Sequence, residues 1–279
     1  MTWTEALRSA ARRLGEAGVA EPMRDARLLA AWAAGVEPGR VTLLGPGPMD
    51  PAARSRLDAA AAARAGGRSV AHVTGRKAFW GRDFAVTDAT LAPRPETEGI
   101  VAAALERPFA RVLDLGTGTG CLLVTLLAER PEATGLGTDL SPGALAVAGR
   151  NARTHGVADR AAFREGDWWA AAEGRFDLVV CNPPYIPEAD MPGLAPEVLA
   201  EPRMALTPGG DGLGAYRAVA EGLRDALEPG GRVLLEVGAG QAGDVAAILR
   251  AAGLDGVLAR PDMDGRERVL EASRPGGLP

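Results

Sequence analysis

The sequence contains few of the side chains that form disulfides, metal sites or nucleophilic centres. Among 279 residues there are two cysteines, Cys121 and Cys181, and two histidines, His72 and His155. Two cysteines are too few for a disulfide framework or a cysteine-based zinc site. Cys181 ends an apolar stretch, so we expect a small buried side chain there rather than a nucleophile. The histidines are isolated in sequence, and we assign them no metal-binding or catalytic role. We predict no metal site.

Long apolar segments are also missing. Charged residues or glycines interrupt the apolar runs before they reach the ~18 residues of a membrane span, although the apolar fraction of 47% is ordinary for a globular protein. Residues 1–18 have an amphipathic helical pattern without the apolar core and cleavage site of a secretory signal. We therefore expect a cytoplasmic protein with no membrane partner. A length of 279 residues suits about two domains of ~150 residues.

Lysine is nearly absent, and the charge is distributed unevenly. Lys77 is the only lysine, beside 30 arginines. Residues 1–78 hold 12 Lys and Arg against 7 Asp and Glu, whereas residues 79–279 hold 19 against 29. Because neutralisation of phosphates supplies most non-specific affinity for DNA, we expect no stable binding of nucleic acid. The basic first part is either a solvated helical surface or a site for an acidic or RNA-rich partner.

The first third of the chain predicts a helical bundle followed by a connector. Helical patterns begin at Thr2, which has the capping-box spacing to Glu5, at Pro22 and after Asp50. They predict an N-terminal helical domain over 1–68. Over 69–95 the pattern changes to aromatic and β-branched residues separated by turn residues, beginning at Val70 and His72 and continuing through Phe79, Trp80, Phe84 and Val86. This second pattern predicts short strands that connect two domains.

From residue 96 onward, strand and helix patterns alternate, which predicts a mostly parallel sheet with helices on both faces. Strands are expected at 111–115, 134–139, 161–165, 176–181, 231–237, 255–260 and 267–272, and helices near 96–106, 120–129, 142–155, 213–227 and 241–252. Only a short turn separates the last two strands, so we predict that they are antiparallel. This α/β arrangement over 96–279, with seven strands and a final hairpin, resembles the Rossmann-like fold of class I methyltransferases.

Three strand ends carry residues suited to a nucleotide-like ligand. After the first of these strands comes a G-x-G-x-G sequence, whose glycines permit a tight turn and a close approach of the ligand to the backbone; it consists of Gly116, Thr117, Gly118, Thr119 and Gly120. Asp139 ends the next strand, where a carboxylate can accept hydrogen bonds from ribose hydroxyls. Asp167 and Trp168 end the third, where the acid can receive an amino group and the indole can contact a purine. Ligands of open α/β sheets bind at such carboxyl ends.

The most specific feature is the sequence Asn182-Pro183-Pro184-Tyr185, which follows the apolar strand FDLVVC. The prolines stiffen the backbone and remove two N–H donors. The Asn182 side-chain carbonyl and a proline main-chain carbonyl can then both accept from one planar NH₂ group, which orients its nitrogen. Tyr185 offers a face on which a flat substrate can stack.

Together these features predict transfer of a methyl group from S-adenosylmethionine to a planar amino nitrogen. The acceptor can be an adenine or cytosine amino group, a guanine N2 or a carboxamide, and the tetrapeptide does not separate these on physical grounds. No metal and no covalent intermediate is required.

Motifs along nearly the whole chain resemble those of the PrmC/HemK protein-(glutamine-N5) methyltransferases. The motifs outside the ligand-binding sequences are Phe79-Trp80-Gly81, Phe84-x-Val86, Pro93-Arg94-Pro95-Glu96-Thr97-Glu98, Glu201-Pro202, Ala205-Leu206, Asp211-Gly212-Leu213, Tyr216 and Leu235-Glu236-Val237-Gly238. This resemblance implies methylation of the glutamine in the GGQ motif of class-1 peptide chain release factors, which modulates translation termination.

The resemblance also implies roles for parts of the chain. Gly116–Gly120, Asp139, Trp168 and Asn182 would contact the cofactor, Asn182–Tyr185 would hold the glutamine, and the N-terminal domain would bind the release factor. The product of the cofactor is S-adenosylhomocysteine, and a monomer is the family expectation.

Three positions depart from the family pattern: Ala92, Glu96 and Ala200 stand where Ile, Asp and an aromatic residue are more common. None of them is among the acceptors for the NH₂ group, so the departures bear on affinity and not on the reaction class. Two alternatives remain. One is a nucleic-acid amino-methyltransferase acting on DNA adenine or ribosomal RNA guanine, and the other is a non-catalytic S-adenosylmethionine-binding or dinucleotide-binding protein.

Overall fold

The computed structural model describes residues 1–262 and 264–276, and the chain divides into two compact units. The first unit is Met1–Arg76 together with the short segment Ala195–Ala200, and the second is Lys77–Leu194 together with Glu201–Pro279. Segment 195–200 thus belongs with the N-terminal unit, although in sequence it lies far inside the predicted C-terminal domain. Over the described residues, no helix is both long enough and apolar enough to span a membrane.

The first unit is helical. Its helices are α1 (Trp3–Glu16), α2 (Pro22–Ala34), α3 (Pro51–Ala65), α4 (Val70–Thr74) and α8 (Pro196–Leu199). The predicted capping box is confirmed, because the Thr2 hydroxyl accepts from the Glu5 N–H while the Glu5 carboxylate accepts from the Thr2 N–H. Asp50 caps α3 in a similar way by accepting from the Ala53 N–H.

Alanine and leucine side chains fill the core of the first unit. Leu14, Leu29 and Leu57, one from each long helix, are at most 1% exposed and are surrounded by buried alanines. Arg64 on α3 adds a buried polar connection, since its Nε lies 2.7 Å from Asp25 Oδ2 on α2 and its Nη2 lies 3.1 Å from Glu197 Oε1 on α8. Two carboxylates thereby compensate a guanidinium that is removed from water.

The strand prediction for Val70 and His72 is wrong, because both residues lie in helix α4. The Ser69 hydroxyl accepts from the His72 N–H and caps this single turn, which Gly75 ends in a left-handed conformation at φ +71°. The caps on both sides outweigh the β preference of the valine. The predicted strands follow directly as a hairpin of β1 (Arg76–Phe79) and β2 (Arg82–Ala85).

The second unit contains the predicted seven-stranded sheet. The strands are β3 (Arg111–Leu115), β4 (Thr134–Asp139), β5 (Ala161–Glu165), β6 (Phe176–Cys181), β7 (Leu227–Glu236), β8 (Asp255–Pro261) and β9 (Glu267–Ser273). Their order across the sheet is β5-β4-β3-β6-β7-β9-β8. Pairing is parallel from β5 to β7, and β9 is antiparallel to both of its neighbours. The antiparallel final hairpin is thus confirmed.

Helices cover both faces of this sheet. They are α5 (Glu98–Leu105), α6 (Cys121–Glu129), α7 (Pro142–Thr154), α9 (Gly214–Ala226) and α10 (Ala242–Ala251). Leu113 and Leu115 of β3 point into a core that includes α9 and α10, whereas Val112 points into a second core that includes α5, α6 and α7. Successive residues of a strand face opposite sides, and the apolar runs of the central strands are therefore buried on both.

The chain leaves the neighbouring strands β3 and β6 in opposite directions. From β3 it proceeds through α6 to β4 on one side, and from β6 it proceeds to β7 on the other. The register pairs Leu115 with Cys181, so the two strands end at the same level. A crevice at such a reversal of strand order is the usual ligand site of an open α/β sheet.

Candidate active site

The glycine loop, residues 116–120, follows β3 and leads into α6. Its three glycines have left-handed backbones, with φ values of +68° at Gly116, +55° at Gly118 and +77° at Gly120. Other residues adopt this conformation only at a cost, which explains the spacing of the glycines. The Thr117 N–H donates to the Thr138 carbonyl at 2.9 Å, so the loop is attached to the end of β4.

Asp114 connects the glycine loop to helix α6 through two hydrogen bonds. Its Oδ2 accepts from the Thr117 hydroxyl at 2.6 Å and from the Leu123 N–H at 3.3 Å, so that it connects the loop to the first turn of α6. The side chain is buried, and burial raises the pKa of Asp114 to about 7. The Asp114 carboxyl therefore changes its charge as the pH passes through the neutral range.

Two further predicted residues stand at the adjoining strand ends. Asp139 accepts from the Gly118 N–H through Oδ2 and from the Ser141 N–H through Oδ1, each at 2.9 Å. Each carboxylate oxygen retains acceptor capacity beyond that one bond. Trp168 is half-buried and has a left-handed backbone at φ +45°, a strained conformation for a non-glycine residue.

The Asn182 amide is fixed by a chain of hydrogen bonds. Asn182 Nδ2 donates to Thr97 Oγ1 at 3.0 Å, and the Thr97 hydroxyl donates to Glu236 Oε2 at 2.6 Å. Thr97 and Glu236 are 2% and 1% exposed, respectively. Burial raises the pKa of Glu236 to about 7, while the hydrogen bonds from Thr97 and Tyr185 oppose that rise. We call Asn182, Thr97 and Glu236 the amide relay.

One cavity of about 530 Å³ joins these strand ends, a size typical of small-molecule sites. It is lined by segments 89–94, 116–119, 139–141, 166–168 and 182–184, by residues of 202–215, and by Thr97, Asp114, Cys121, Leu122 and Ala144. The predicted residues Gly116, Thr117, Gly118, Thr119, Asp139, Asp167, Trp168, Asn182, Pro183 and Pro184 thus share one cavity. Their binding roles remain predictions.

Gly120 and Tyr185 are not among the residues that line this cavity. A Cβ on Gly120 would lie 3.0 Å from the Ala148 Cβ, so this glycine allows α7 to approach closely. The Tyr185 hydroxyl donates to Glu236 Oε1 at 3.3 Å, and its main-chain carbonyl accepts from Gln241 Nε2 at 2.9 Å. The predicted stacking of substrate on Tyr185 remains a prediction, but the tyrosine is also part of the support of Glu236.

Several cavity residues escaped the sequence reasoning about chemistry. Segment 89–94 and residues of 202–215 contribute much of the lining. Some of these residues belong to the Pro93–Glu98, Glu201-Pro202 and Ala205-Leu206 motifs, and the others carried no sequence signal for a role in chemistry. Arg94 Nη2 lies 3.0 Å from Glu201 Oε2, an ion pair that joins these two lining segments. Ala92, one of the departures from the family pattern, is 3% exposed.

Both cysteines are unsuited to act as nucleophiles. Cys181 is fully buried, as predicted, and burial raises its pKa well above the ordinary value. Cys121 is only half-buried and lines the cavity, and desolvation raises the pKa of its thiol to about 12. Among the residues that the structure describes, no group of three or more His, Cys, Asp or Glu side chains has the geometry of a metal site.

Two models of protein families match separate parts of the chain. Residues 5–75 match the model of the PrmC N-terminal domain, and residues 97–220 match that of the methyltransferase small domain. A solved methyltransferase from Pyrococcus furiosus shares the fold, with a TM-score of 0.53 and 18% identity over 71% of this chain and 92% of that one.

Two curated relatives extend the similarity over nearly the full length. A release factor glutamine methyltransferase from Cereibacter sphaeroides is 56% identical over 99% of this chain and 99% of its own. One from Rhodospirillum rubrum is 47% identical over 94% of this chain and 82% of its own. The resemblance noted in the motifs and the class I methyltransferase fold are both confirmed. The chain belongs to the release factor glutamine methyltransferase family.

Proposed function

We propose that this protein transfers the methyl group of S-adenosylmethionine to the side-chain amide nitrogen, N5, of the glutamine in the GGQ motif of class-1 release factors. Membership of the family and the shared cavity support this assignment. The observation that carries it is the orientation of Asn182. Its NH₂ group is engaged by Thr97, so its Oδ1 remains as an acceptor at a cavity that Asn182 lines.

The residues at the strand ends suit S-adenosylmethionine as the cofactor. A Cβ added to Gly116 would have no other heavy atom within 4 Å, so this side of the loop backbone is open to a ligand. Asp139 accepts only one backbone hydrogen bond on each oxygen and can also accept from ribose hydroxyls. Asp167 and Trp168 would receive the adenine, the first by a hydrogen bond and the second by contact with its indole. The cavity volume of about 530 Å³ accommodates such a ligand.

When bound, the cofactor supplies a methyl group on a positively charged sulfur, and its transfer leaves S-adenosylhomocysteine while the amide nitrogen releases one proton. The chain's own contribution is to orient the acceptor. Asn182 Oδ1 and a main-chain carbonyl of Pro183 or Pro184 would accept from the two N–H groups of the glutamine amide. These acceptors hold the nitrogen in place and favour the positive charge that develops on it during attack.

The N-terminal helical domain would bind the release factor, and the monomer would be the active form. The match of residues 5–75 to the PrmC N-terminal domain supports a role shared within the family. The excess of Arg and Lys over acidic residues in 1–78 suits an acidic or RNA-rich partner.

The test is transfer of labelled methyl from S-adenosylmethionine to three purified acceptors. These are a class-1 release factor, the same factor with Ala in place of the GGQ glutamine, and duplex DNA. We expect label in the unmodified release factor alone. Label in DNA would instead support an amino-methyltransferase of nucleic acid. Equal label in the Ala variant would exclude the GGQ glutamine as the acceptor, and no label in any acceptor would favour a binding protein.

A further inference from the structure

The amide relay joins residues that are distant in sequence through the register of two strands. β6 and β7 are parallel, and Cys181 pairs with Leu235. Asn182 directly follows the last residue of β6, and Glu236 is the last residue of β7, so they lie side by side at the carboxyl edge of the sheet. Thr97 lies between them, at the end of the short 3₁₀ segment Pro95–Thr97.

The direction of the hydrogen bonds in the relay is determined by Glu236. While Glu236 is ionised, its carboxylate only accepts, so the Thr97 hydroxyl donates a hydrogen bond to Glu236 Oε2. The oxygen of that hydroxyl then has only lone pairs to offer to Asn182. It can therefore bind the NH₂ of the Asn182 amide but not its oxygen, and this selects one of two amide orientations that are nearly equal in shape.

We propose that Thr97 and Glu236 are positioning residues that hold the Asn182 amide with its oxygen, and not its NH₂ group, available to the substrate. The proposal rests on the proposed function, in which the substrate presents an amide NH₂. In the opposite orientation, the NH₂ group of Asn182 would face the NH₂ group of the substrate, and two donors cannot form a hydrogen bond with each other. Glu236 acts through Thr97 and Asn182, since it is not among the residues that line the cavity, whereas Thr97 lines the cavity and binds the Asn182 NH₂ group.

Energetics support a functional reason for this arrangement. A buried carboxylate is a costly component of a core, and apolar residues of similar size at such a site are often neutral or stabilising. Glu236 is nevertheless 1% exposed and is bound by hydroxyls on both oxygens, from Thr97 and Tyr185. The hydroxyls of Thr97 and Tyr185 thus hold the Glu236 carboxylate as a hydrogen-bond acceptor at one defined position.

Protonation of Glu236 would reverse the relay. A neutral Glu236 would donate from Oε2 to Thr97, whose hydroxyl would then donate to Asn182 Oδ1 and turn the amide NH₂ toward the substrate. Burial raises the pKa of Glu236 to about 7, so this change falls in an accessible range. The titratable and charged groups that act on Glu236, or on which it acts, are Glu96, Cys121, Cys181, Tyr185, Tyr216 and Arg268.

The first experiment compares T97V with T97S as release-factor methyltransferases. Valine has the shape of threonine without the hydroxyl, whereas serine keeps the hydroxyl. We expect T97V to lower kcat by about 10-fold or more with the KM for S-adenosylmethionine within about 2-fold, and T97S to restore most of kcat. Equal rates for T97V and the unmodified protein, or equal losses in T97S and T97V, would overturn the proposal.

The second experiment uses no acceptor, so it separates the relay from the proposed function. The side-chain ¹⁵N–¹H signals of Asn182, identified by their loss in N182A, are recorded between pH 6 and pH 8. We expect them to shift as Glu236 titrates, and to lose that shift in both T97V and E236Q. The same shift in E236Q would overturn the relay, whereas a failure of the unmodified protein to methylate the release factor would overturn the proposed function alone.

Discussion

Asp139 Oδ2 accepts a hydrogen bond of 2.9 Å from the backbone N–H of Gly118, so the acid at the end of β4 holds the glycine loop that follows β3. A single side chain therefore shapes the loop and, in the proposed complex, binds the ribose. The two tasks are compatible because a carboxylate offers about four acceptor sites.

Replacement of Asp139 by Ala removes the acceptor for Gly118 and Ser141 together with the proposed ribose contact. We expect D139A to raise the Kd for S-adenosylmethionine at least about 10-fold, since hydrogen bonds to charged groups contribute ~1.5–3 kcal/mol. Isothermal titration calorimetry measures this change. D225A, at an exposed position on α9, is the matched control and should bind like the unmodified protein. Equal affinities for the two variants would exclude Asp139 from the cofactor site.

The N182A variant separates the proposed acceptor role from cofactor binding. Loss of one positioned acceptor should lower kcat for release-factor methylation by roughly 100-fold. The Kd for S-adenosylmethionine should change by no more than a few-fold, because the cavity has many other contacts. N182D should also be inactive, since a carboxylate cannot donate to Thr97 and would place a second negative charge near Glu236. Single-turnover kinetics and calorimetry measure the two quantities, and wild-type kcat in N182A would contradict the assigned role.

The positions of the strands and of the glycine loop could be predicted because their signals are local. Apolar runs and glycine spacing around 111–120 are independent of distant residues. Helix α4 is a single turn capped by Ser69 and Gly75, and it was not predicted because its β-branched residues favour a strand. Ser69 and Gly75 are residue types that commonly cap helices, but the aromatic and β-branched pattern that continues to Val86 favours strands.

The amide relay could not be predicted, since its contacts depend on tertiary register. Asn182 and Thr97 are 85 positions apart, and Thr97 and Glu236 are 139 apart. Their meeting requires the pairing of β6 with β7 and the placement of the 3₁₀ segment beside both. Likewise, the NPPY motif predicted Tyr185 as a stacking surface, and only the fold shows its hydroxyl directed to Glu236.

Gly120 is predicted to be needed for packing. Alanine there would adopt a φ of +77° and place its Cβ 3.0 Å from the Ala148 Cβ. G156A is a matched control, because Gly156 has a φ of +70° but open space around it. We expect G156A to lower the free energy of unfolding by about 1–2 kcal/mol, the conformational penalty alone, and G120A to lower it by a further ~1–3 kcal/mol from overpacking. Urea denaturation measures both, and equal losses would show that the helix contact is unimportant.

Stability should fall as pH rises through the neutral range because of Asp114. Its pKa is about 7 in the folded protein, above the ordinary value of 3.8, since burial disfavours the charged form. Between these values the native state binds more protons than the unfolded state, and the free energy of unfolding therefore decreases as pH increases. The contribution is fully present below the unfolded pKa and is lost as pH passes through about 7.

The D114N variant isolates this effect, because asparagine keeps an acceptor for Thr117 and Leu123 but does not titrate. The difference in unfolding free energy between the unmodified protein and D114N should change by up to about 1.4 kcal/mol per pH unit between pH 5 and pH 7, to the disadvantage of the unmodified protein. Denaturation at several pH values tests this slope, and a constant difference would show that Asp114 is ionised throughout.

The proposed relay predicts the opposite trend for catalysis, since kcat should rise as Glu236 ionises. The protein would then be most active where Asp114 and Glu236 are ionised and make it less stable. This is the expected consequence of burying carboxylates beside a site that requires the charge of one of them, Glu236.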